Sequence, residues 1–422
     1  MKLLVISRDC FSDTNANGKT LKALLNAFSP SELSQFYTST DSPDFNFCNS
    51  YFRITDIQML MSFLKKPKVI IESNSNSTTH NNSRTRSNKV WKLIQQLNYN
   101  YACRYLRERL WKLSPRWKPS LNKWLKEVQP MAILYMVGDS FFLDQLVERI
   151  ALTFNIPIIL FNVEAYRIIN CNNRHGFDKI YNLISERSYN KLQKLSSLTI
   201  YNCYTIAKAY RKFYKIKDEV PVVAYNAYVF DIEKYQPINH KCNIVYFGNL
   251  GVGRISSIVD IADVLMQINK TLKIDVYGSA PENEIHYLLS HPQINYHGIV
   301  NQQQLSIIKQ TADILLQVES FQPAIINKLK FAFSTKIAQY LCAGRAILSY
   351  APPATAATIY LQSEDAAVVA IDKNSLYMKL SLLVNDASYR ATYAKKALKI
   401  AHKNHDAVLT GEKIKYLINN LI

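Results

Sequence analysis

At 422 residues, 48% of them hydrophobic and 20% charged, the chain can bury the cores of two or three domains, which excludes a disordered protein. A net charge of +19 calls for polyanionic company, whether nucleotide diphosphates, an anionic membrane face or nucleic acid, and charge alone does not choose among them. Seven cysteines without a CxxC pair exclude a disulfide framework or zinc site and read as reduced cytosolic thiols.

The opening MKLLVISRDC passes from one Lys straight into a strand-length apolar run, Lys2–Ser7, so it reads as a buried strand and not as a signal peptide. The runs Met131–Val137 and Ile156–Val163 fall well short of the roughly 20 residues that span a bilayer. The expected location is cytoplasmic, with peripheral contact at the inner membrane face as an option. After the first strand, a loop over 8–18 leads to a helix near Lys19–Phe28. Gly18-Lys19-Thr20 imitates a phosphate-binding P-loop, but Asp13 stands where that motif needs its first Gly. Asn17 and Gly18 can bring backbone close to a diphosphate or sugar, or can simply turn strand into helix.

Residues 72–88, ESNSNSTTHNNSRTRSN, are too polar to bury a core and read as a loop. The stretch 84–128 is basic and holds all four tryptophans, Trp91, Trp111, Trp117 and Trp124, on two expected helices, near 89–113 and 120–128. Two readings stand: a surface for anionic lipid headgroups, or a helix pair packed on its own domain with a solvated basic rim. No nucleic-acid-binding module accompanies it, so no nucleic-acid partner is expected. Next come strand Met131–Val137, the turn Gly138-Asp139-Ser140, helix Phe141–Phe154 and strand Pro157–Asn162. This is the repeating unit of a doubly wound sheet, whose ligands sit at the carboxyl ends of strands. Asp139 reads as a helix cap and His175 as a surface residue. Glu164, with Tyr166 and Arg167, is a candidate for an acceptor-side catalytic position. Helices near 178–195 and 204–214 bracket strand 198–202, and strand 220–225 completes the first sheet.

A polar crossing over 226–242 precedes a second sheet that begins at Asn243–Phe247. The following loop carries Gly248, Gly251 and Gly253, with Arg254 opening a helix that runs to Ile268. Three glycines permit close approach of backbone to a ligand, and Arg254 can grip what they cradle. Strand 272–277 is followed by Gly278, strand 295–297 by Gly298, Ile299 and Val300, and strand 313–318 by Glu319. The stretch Phe331–Pro353, FAFSTKIAQYLCAGRAILSYAPP, reads as a polar loop ending in Ser334-Thr335-Lys336, a helix Ile337–Ala343 and a buried strand Ala346–Ser349. Hydroxyl residues and a lysine at a helix N-terminus make either an anion site or an ordinary cap.

The string STKIAQYLCAGRAIL resembles the nucleotide-sugar-binding segment of the family-4-like (group 1) bacterial glycosyltransferases, and the glycine loop with Arg254 resembles that family's diphosphate loop. The resemblance covers about 240–400 and reaches the N-terminal half in outline. It implies α/β architecture of the GT-B type: two Rossmann-like doubly wound domains facing a cleft, and a C-terminal helix crossing back to the first. The expected division is an acceptor-side domain over 1–225 with the 84–128 insertion, a linker over 226–242, a nucleotide-sugar domain over 243–400, and a returning helix over 401–422. The implied activity is retaining transfer of a hexose-type sugar to a glycan or lipid-linked acceptor of a cell-surface polysaccharide, with no metal and no cofactor beyond the donor. Arg254 and Lys336 would stabilise the leaving diphosphate, and Glu164 would serve the acceptor side. Donor contacts would come from Asn17, Gly18, Gly248, Gly251, Gly253, Gly278, Gly298, Ile299, Ser334, Thr335 and Gln339. Where many relatives carry two glutamates this chain has Phe331 and Gln339, and Glu319 is the candidate to stand in for the missing donor-side acid. A sugar-nucleotide 2-epimerase and a catalytically silent nucleotide-binding scaffold are the rival readings.

Overall fold

The short apolar runs become parallel strands, because a run buried on both faces needs no polar alternation. A computed structural model describes residues 1–65, 67, 70–72, 100–169, 176–216, 220–228 and 242–422. It divides into one unit of Met1–Ala224 with Gly411–Ile422 and a second of Tyr225–Thr410. The first holds β1 (Leu3–Ile6), β2 (Leu33–Tyr37), β3 (Ser50–Arg53), β4 (Ile70–Glu72), β5 (Ala132–Met136), β6 (Ile158–Asn162), β7 (Leu198–Tyr201) and β8 (Val222–Val223). Their order is β4-β3-β2-β1-β5-β6-β7-β8, parallel throughout except for β4 against β3. The second unit holds β9 (Ile244–Phe247), β10 (Ile274–Tyr277), β11 (Ile294–Gly298), β12 (Ile314–Val318), β13 (Ala346–Tyr350) and β14 (Val368–Ala370), in the order β11-β10-β9-β12-β13-β14.

Both orders reverse direction once, between β1 and β5 in the first unit and between β9 and β12 in the second. At such a switch point the loops leaving neighbouring strands part to opposite sides and open a crevice at the carboxyl edge. Each unit therefore has one place where topology alone prepares a ligand site.

The last helix, Ala407–Asn419, contributes the fully buried Ile414 and Ile418 to the first unit's core, and Lys415 pairs with Glu32 at 2.7 Å. Three of the tryptophans are interior residues. Trp111 stacks on Phe142 at 4.3 Å and donates to Asp56 at 2.8 Å, while Trp124 donates to Ser50 at 2.8 Å. Trp117 is buried against Phe36. These three are thus not interfacial anchors; Trp91 and the start of its expected helix lie outside the described residues. One buried acid of the basic stretch explains the packing. Glu108, on helix Tyr101–Leu113, accepts from the Phe142 N–H at 2.7 Å and from the Ser140 hydroxyl, and so caps helix Phe141–Phe154 from a distance. Burial pushes Glu108 up to about 7 against the opposing pull of Arg107 and these donors. Asp139, expected to cap that helix, instead pairs with Arg104.

Gly18 departs from its expected place as well. The first helix starts earlier, at Ala16, with Asn15 as its cap accepting from the Gly18 N–H at 2.6 Å, so Gly18 is helical and its N–H is already taken. A Cβ there would stand 2.6 Å from the Cys10 carbonyl and 2.7 Å from the Ser12 nitrogen. The close approach is to the chain's own backbone. Glycine to alanine inside a helix ordinarily stabilises by about 1 kcal/mol. Here the sign reverses: Gly18→Ala should lower stability by roughly 2 kcal/mol through overpacking, read as a lower melting temperature. An unchanged or raised melting temperature would contradict this packing.

Candidate functional site

In the second unit the switch point brings together the loops after β9 and β12. Tyr246 ends in a hydroxyl that donates to the Asn249 carbonyl at 2.8 Å, holding the loop as it leaves β9. Gly248 has φ +137° and Gly278, after β10, has φ +145°, a region that only glycine occupies without strain. The two backbones nearly touch. A Cβ on Gly278 would meet the Gly248 carbonyl, 2.7 Å from its carbon, and Gly278 itself donates to Gly298 at 2.7 Å. On its other side, Gly248 leaves just enough room for Lys336, whose Cδ would lie 2.7 Å from an added Cβ.

Lys336 is the first residue of helix Lys336–Cys342 and not the end of the loop before it. Its ammonium donates to the Tyr246 hydroxyl at 3.3 Å and lies 5.2 Å from that ring. Burial, followed by the charge of Arg254, pulls Lys336 down to about 8, with Glu319 working in the opposite direction. Within the same turn Ser334 accepts from the Lys336 N–H at 3.3 Å, while the Thr335 side chain caps nothing. Gln339 is half-buried one turn further on.

Arg254, expected to point at whatever the glycines cradle, is instead committed to protein. It donates to Glu319 at 2.9 Å from Nε, approaches the same oxygen at 2.9 Å from Nη2, and reaches the Asn249 carbonyl at 3.3 Å. Gly251 sits in this loop as a further acceptor at 3.5 Å, and Gly253 packs against Ser320, whose Oγ would stand 2.7 Å from an added Cβ. The Glu319 side chain is 6% exposed, and one oxygen, Oε2, takes both Arg254 contacts. Oε1 has no protein donor among the described residues. Gly298, with φ +73°, leads into Ile299, which is 79% exposed. Phe331 is half-buried with the Lys330 ammonium 5.5 Å from its ring.

In the first unit the carboxyl edge holds Asp9, Asp139, Glu164 and Tyr166. Asn17, helical and not in the loop, donates to Asp9 at 2.7 Å. Glu164 is half-buried and pushed up to about 7 by burial alone. Tyr166 is raised first by burial and then by the charges of Glu164 and Asp139. Arg167, expected beside them, points inward: it is 3% exposed and pairs with Asp144 at 2.7 Å. His175 lies outside the described residues.

No family model matches the chain, and no curated protein matches it in sequence. Solved structures do. Anabaena Alr3699/HepE in complex with UDP aligns over 100% of both chains with a TM-score of 0.65 at 13% identity. The lipopolysaccharide outer core galactosyltransferase WaaB in its apo form aligns over 100% of both at 0.59 and 11%. Sucrose-phosphate synthase from Thermosynechococcus elongatus aligns over 100% of this chain and 99% of its own at 0.58 and 10%.

The chain has the GT-B fold.

Within this GT-B chain, the structure gathers Gly248, Gly251, Gly253, Arg254, Glu319 and Lys336 around one switch point. Sequence reasoning passed over Tyr246, read as the end of a buried strand. Its signal was present: a strand-terminal tyrosine must carry its hydroxyl to a polar place. Among the described residues no cluster of His, Cys, Asp and Glu could hold a metal ion, and no helix is long and apolar enough to cross a membrane.

The electrostatics predict how Lys336 titrates. Its acylation by acetic anhydride, followed by peptide mass spectrometry across pH, should show a midpoint near 8, whereas exposed lysines titrate above about 10. Glu319→Gln should move that midpoint lower, because Glu319 favours the charged form. Co-titration of Lys336 with the exposed lysines would show that its amine is not held as described.

Proposed function

We propose that the chain is a glycosyltransferase that moves a sugar from a nucleoside diphosphate sugar to a hydroxyl of a glycan or lipid-linked glycan. One observation carries the reading: at the switch point of the second unit Lys336 is a cation without a carboxylate partner of its own, held over Gly248 beside an already neutralised Arg254–Glu319 pair. A diphosphate is the ligand that such a cation and two tightly apposed glycine turns suit, since phosphate oxygens accept from both ammonium and backbone N–H. Support also comes from HepE, solved with UDP and with UDP-glucose, and from WaaB, a galactosyltransferase, and these favour a hexosyl donor.

In this scheme Lys336 neutralises the leaving diphosphate, Ser334 and Thr335 supply hydroxyl donors, and the Gln339 amide takes a ribose hydroxyl. Gly298 and Ile299 meet the base. Arg254 acts at one remove, fixing the glycine loop and Glu319. The bond between the anomeric carbon and the phosphate oxygen breaks as the acceptor oxygen bonds to that carbon on the same face. The acceptor proton passes to the departing phosphate, and the configuration is retained. Fixed cations replace a metal. Glu164, poised near neutrality, orders the acceptor hydroxyl from the first unit, with Asn17 nearby on the same edge. A lipid-borne acceptor of cell-surface polysaccharide synthesis, met at the inner membrane face, is supported by the exposed Leu60 and Leu64 beside Arg116, which donates to the Phe63 carbonyl at 2.9 Å.

The rival is a silent scaffold, favoured by Phe331 in place of a carboxylate. Two measurements decide. Thermal denaturation against UDP, GDP, ADP, TDP and CMP sugars should single out one cognate donor, since only a ligand of the native state raises stability by mass action. Lys336→Ala should then lose about 100- to 1,000-fold in turnover, the usual consequence of deleting one fixed donor to a developing anion, with its ligand-free melting temperature unchanged. Turnover should persist in EDTA. Wild-type turnover in the Lys336 variant would overturn the assignment, and tight binding without turnover on any acceptor would favour the scaffold. Conversion of donor without acceptor would mark an epimerase.

A further inference from the structure

Helices Phe141–Phe154 and Gly176–Leu195 each leave the carboxyl end of a strand and run back toward the amino end of the next. With helix Tyr101–Leu113 they enclose a depression of about 590 Å³ lined by Lys112, Glu148, Arg149, Leu152, Arg187 and Lys191. Arg149 lies two helical turns beyond Phe141, which is about 12 Å of rise. The depression is therefore on the amino-end side of the sheet, removed from Asp139 and Glu164, and outside the region where topology prepares a ligand site.

Its charge is unbalanced. Lys191 is paired with Glu148. Lys112, Arg149 and Arg187 have no carboxylate partner among the described residues. Lys118 adds to them: its ammonium donates to the Lys112 carbonyl at 2.5 Å, and burial followed by the charges of Arg149 and Lys112 pulls its pKa down. Burial alone does the same to Arg149. Lys112, Arg149 and Arg187 are exposed, so these charges face one another and the solvent across the depression, where an anion placed among them would offset their repulsion.

We propose that this depression is a second anion site, distinct from the donor site, for a diphosphate or phosphate ester. Two guanidinium groups offer planar donor pairs that match phosphate oxygens, and the lysines add point charges. The volume suits a small ligand, and Leu152 gives it an apolar wall against which a carbon moiety esterified to the phosphate can lie. The same chemistry is offered by a free diphosphate and by a phospholipid headgroup.

Calorimetric titration of the full chain with inorganic pyrophosphate is one test, and co-sedimentation with phosphatidylglycerol–phosphatidylcholine vesicles is the other, with phosphatidylcholine vesicles as control. Both use the Lys336→Ala background, so that the donor site cannot contribute and the two sites fail separately. Arg149→Gln with Arg187→Gln should weaken binding of at least one probe by tenfold or more, and Arg149→Lys with Arg187→Lys should restore most of it. Loss of pyrophosphate binding identifies a free diphosphate; loss confined to vesicles identifies a headgroup. Equal binding of both probes by the glutamine variant and its parent would overturn the proposal, as would a failure of the lysine pair to rescue a well-folded glutamine variant.

Discussion

The Arg254–Glu319 ion pair is the constraint on which the candidate site depends. A buried pair gains little net stability, because the desolvation of both charges offsets most of their attraction. What it provides is placement. Arg254 spends its donors on Glu319 and on the Asn249 and Gly251 carbonyls, which fixes the glycine loop after β9 to the end of β12 across the switch point. With that pair neutral, Lys336 is left as the one cation of the cluster without a carboxylate of its own. Its lowered pKa follows: the amine loses water to burial and faces Arg254, while the carboxylate that would favour its charge is shared. An anion bound beside it would favour the charged ammonium over the neutral amine.

The second sheet was legible in the sequence because its strands are short, apolar-rich runs, and glycine stands at the ends of β9, β10 and β11. Helices Phe141–Phe154 and Tyr204–Tyr214 were read to the residue, since Asn155 and Lys215, the residues that end them, adopt the left-handed conformation directly after an amphipathic run. Five helices went unread: Tyr166–Ile169, Ile285–Leu289, Gln302–Thr311, Pro323–Leu329 and Ala356–Ser363. Three of them are shorter than eight residues, too few to show a period. Gln302–Thr311 buries no residue, so it carries no apolar stripe, and Ala356–Ser363 is apolar nearly all round. Hydrophobic periodicity detects half-buried helices and is blind to both extremes.

Site residues were legible only where backbone chemistry marks them. Gly248 and Gly278 stand at strand ends where the chain must turn sharply and pass close to itself. Long-range pairings left no such mark. Arg254 with Glu319 is a contact across sixty-five positions, Glu108 reaches a helix terminus thirty-four positions away, and Arg167 turned inward because Asp144 lay there to receive it. The basic, tryptophan-rich stretch fits the second of its two readings, a helix pair packed on its own domain: three of its tryptophans face the core, and its buried acid, Glu108, is the cap that docks it.

The substitution of phenylalanine and glutamine for the acids expected at positions 331 and 339 does not leave the site without a carboxylate. Glu319 stands at the end of β12, on the strand that forms one wall of the switch point, and commits Oε2 alone to Arg254. A carboxylate has lone pairs on both oxygens, and Oε1, with no protein donor among the described residues, is open to a donor from solvent or from a ligand. The two sides of the cluster thus differ in sign: Glu319 presents an uncommitted carboxylate oxygen, while Lys336, over Gly248, presents a cation.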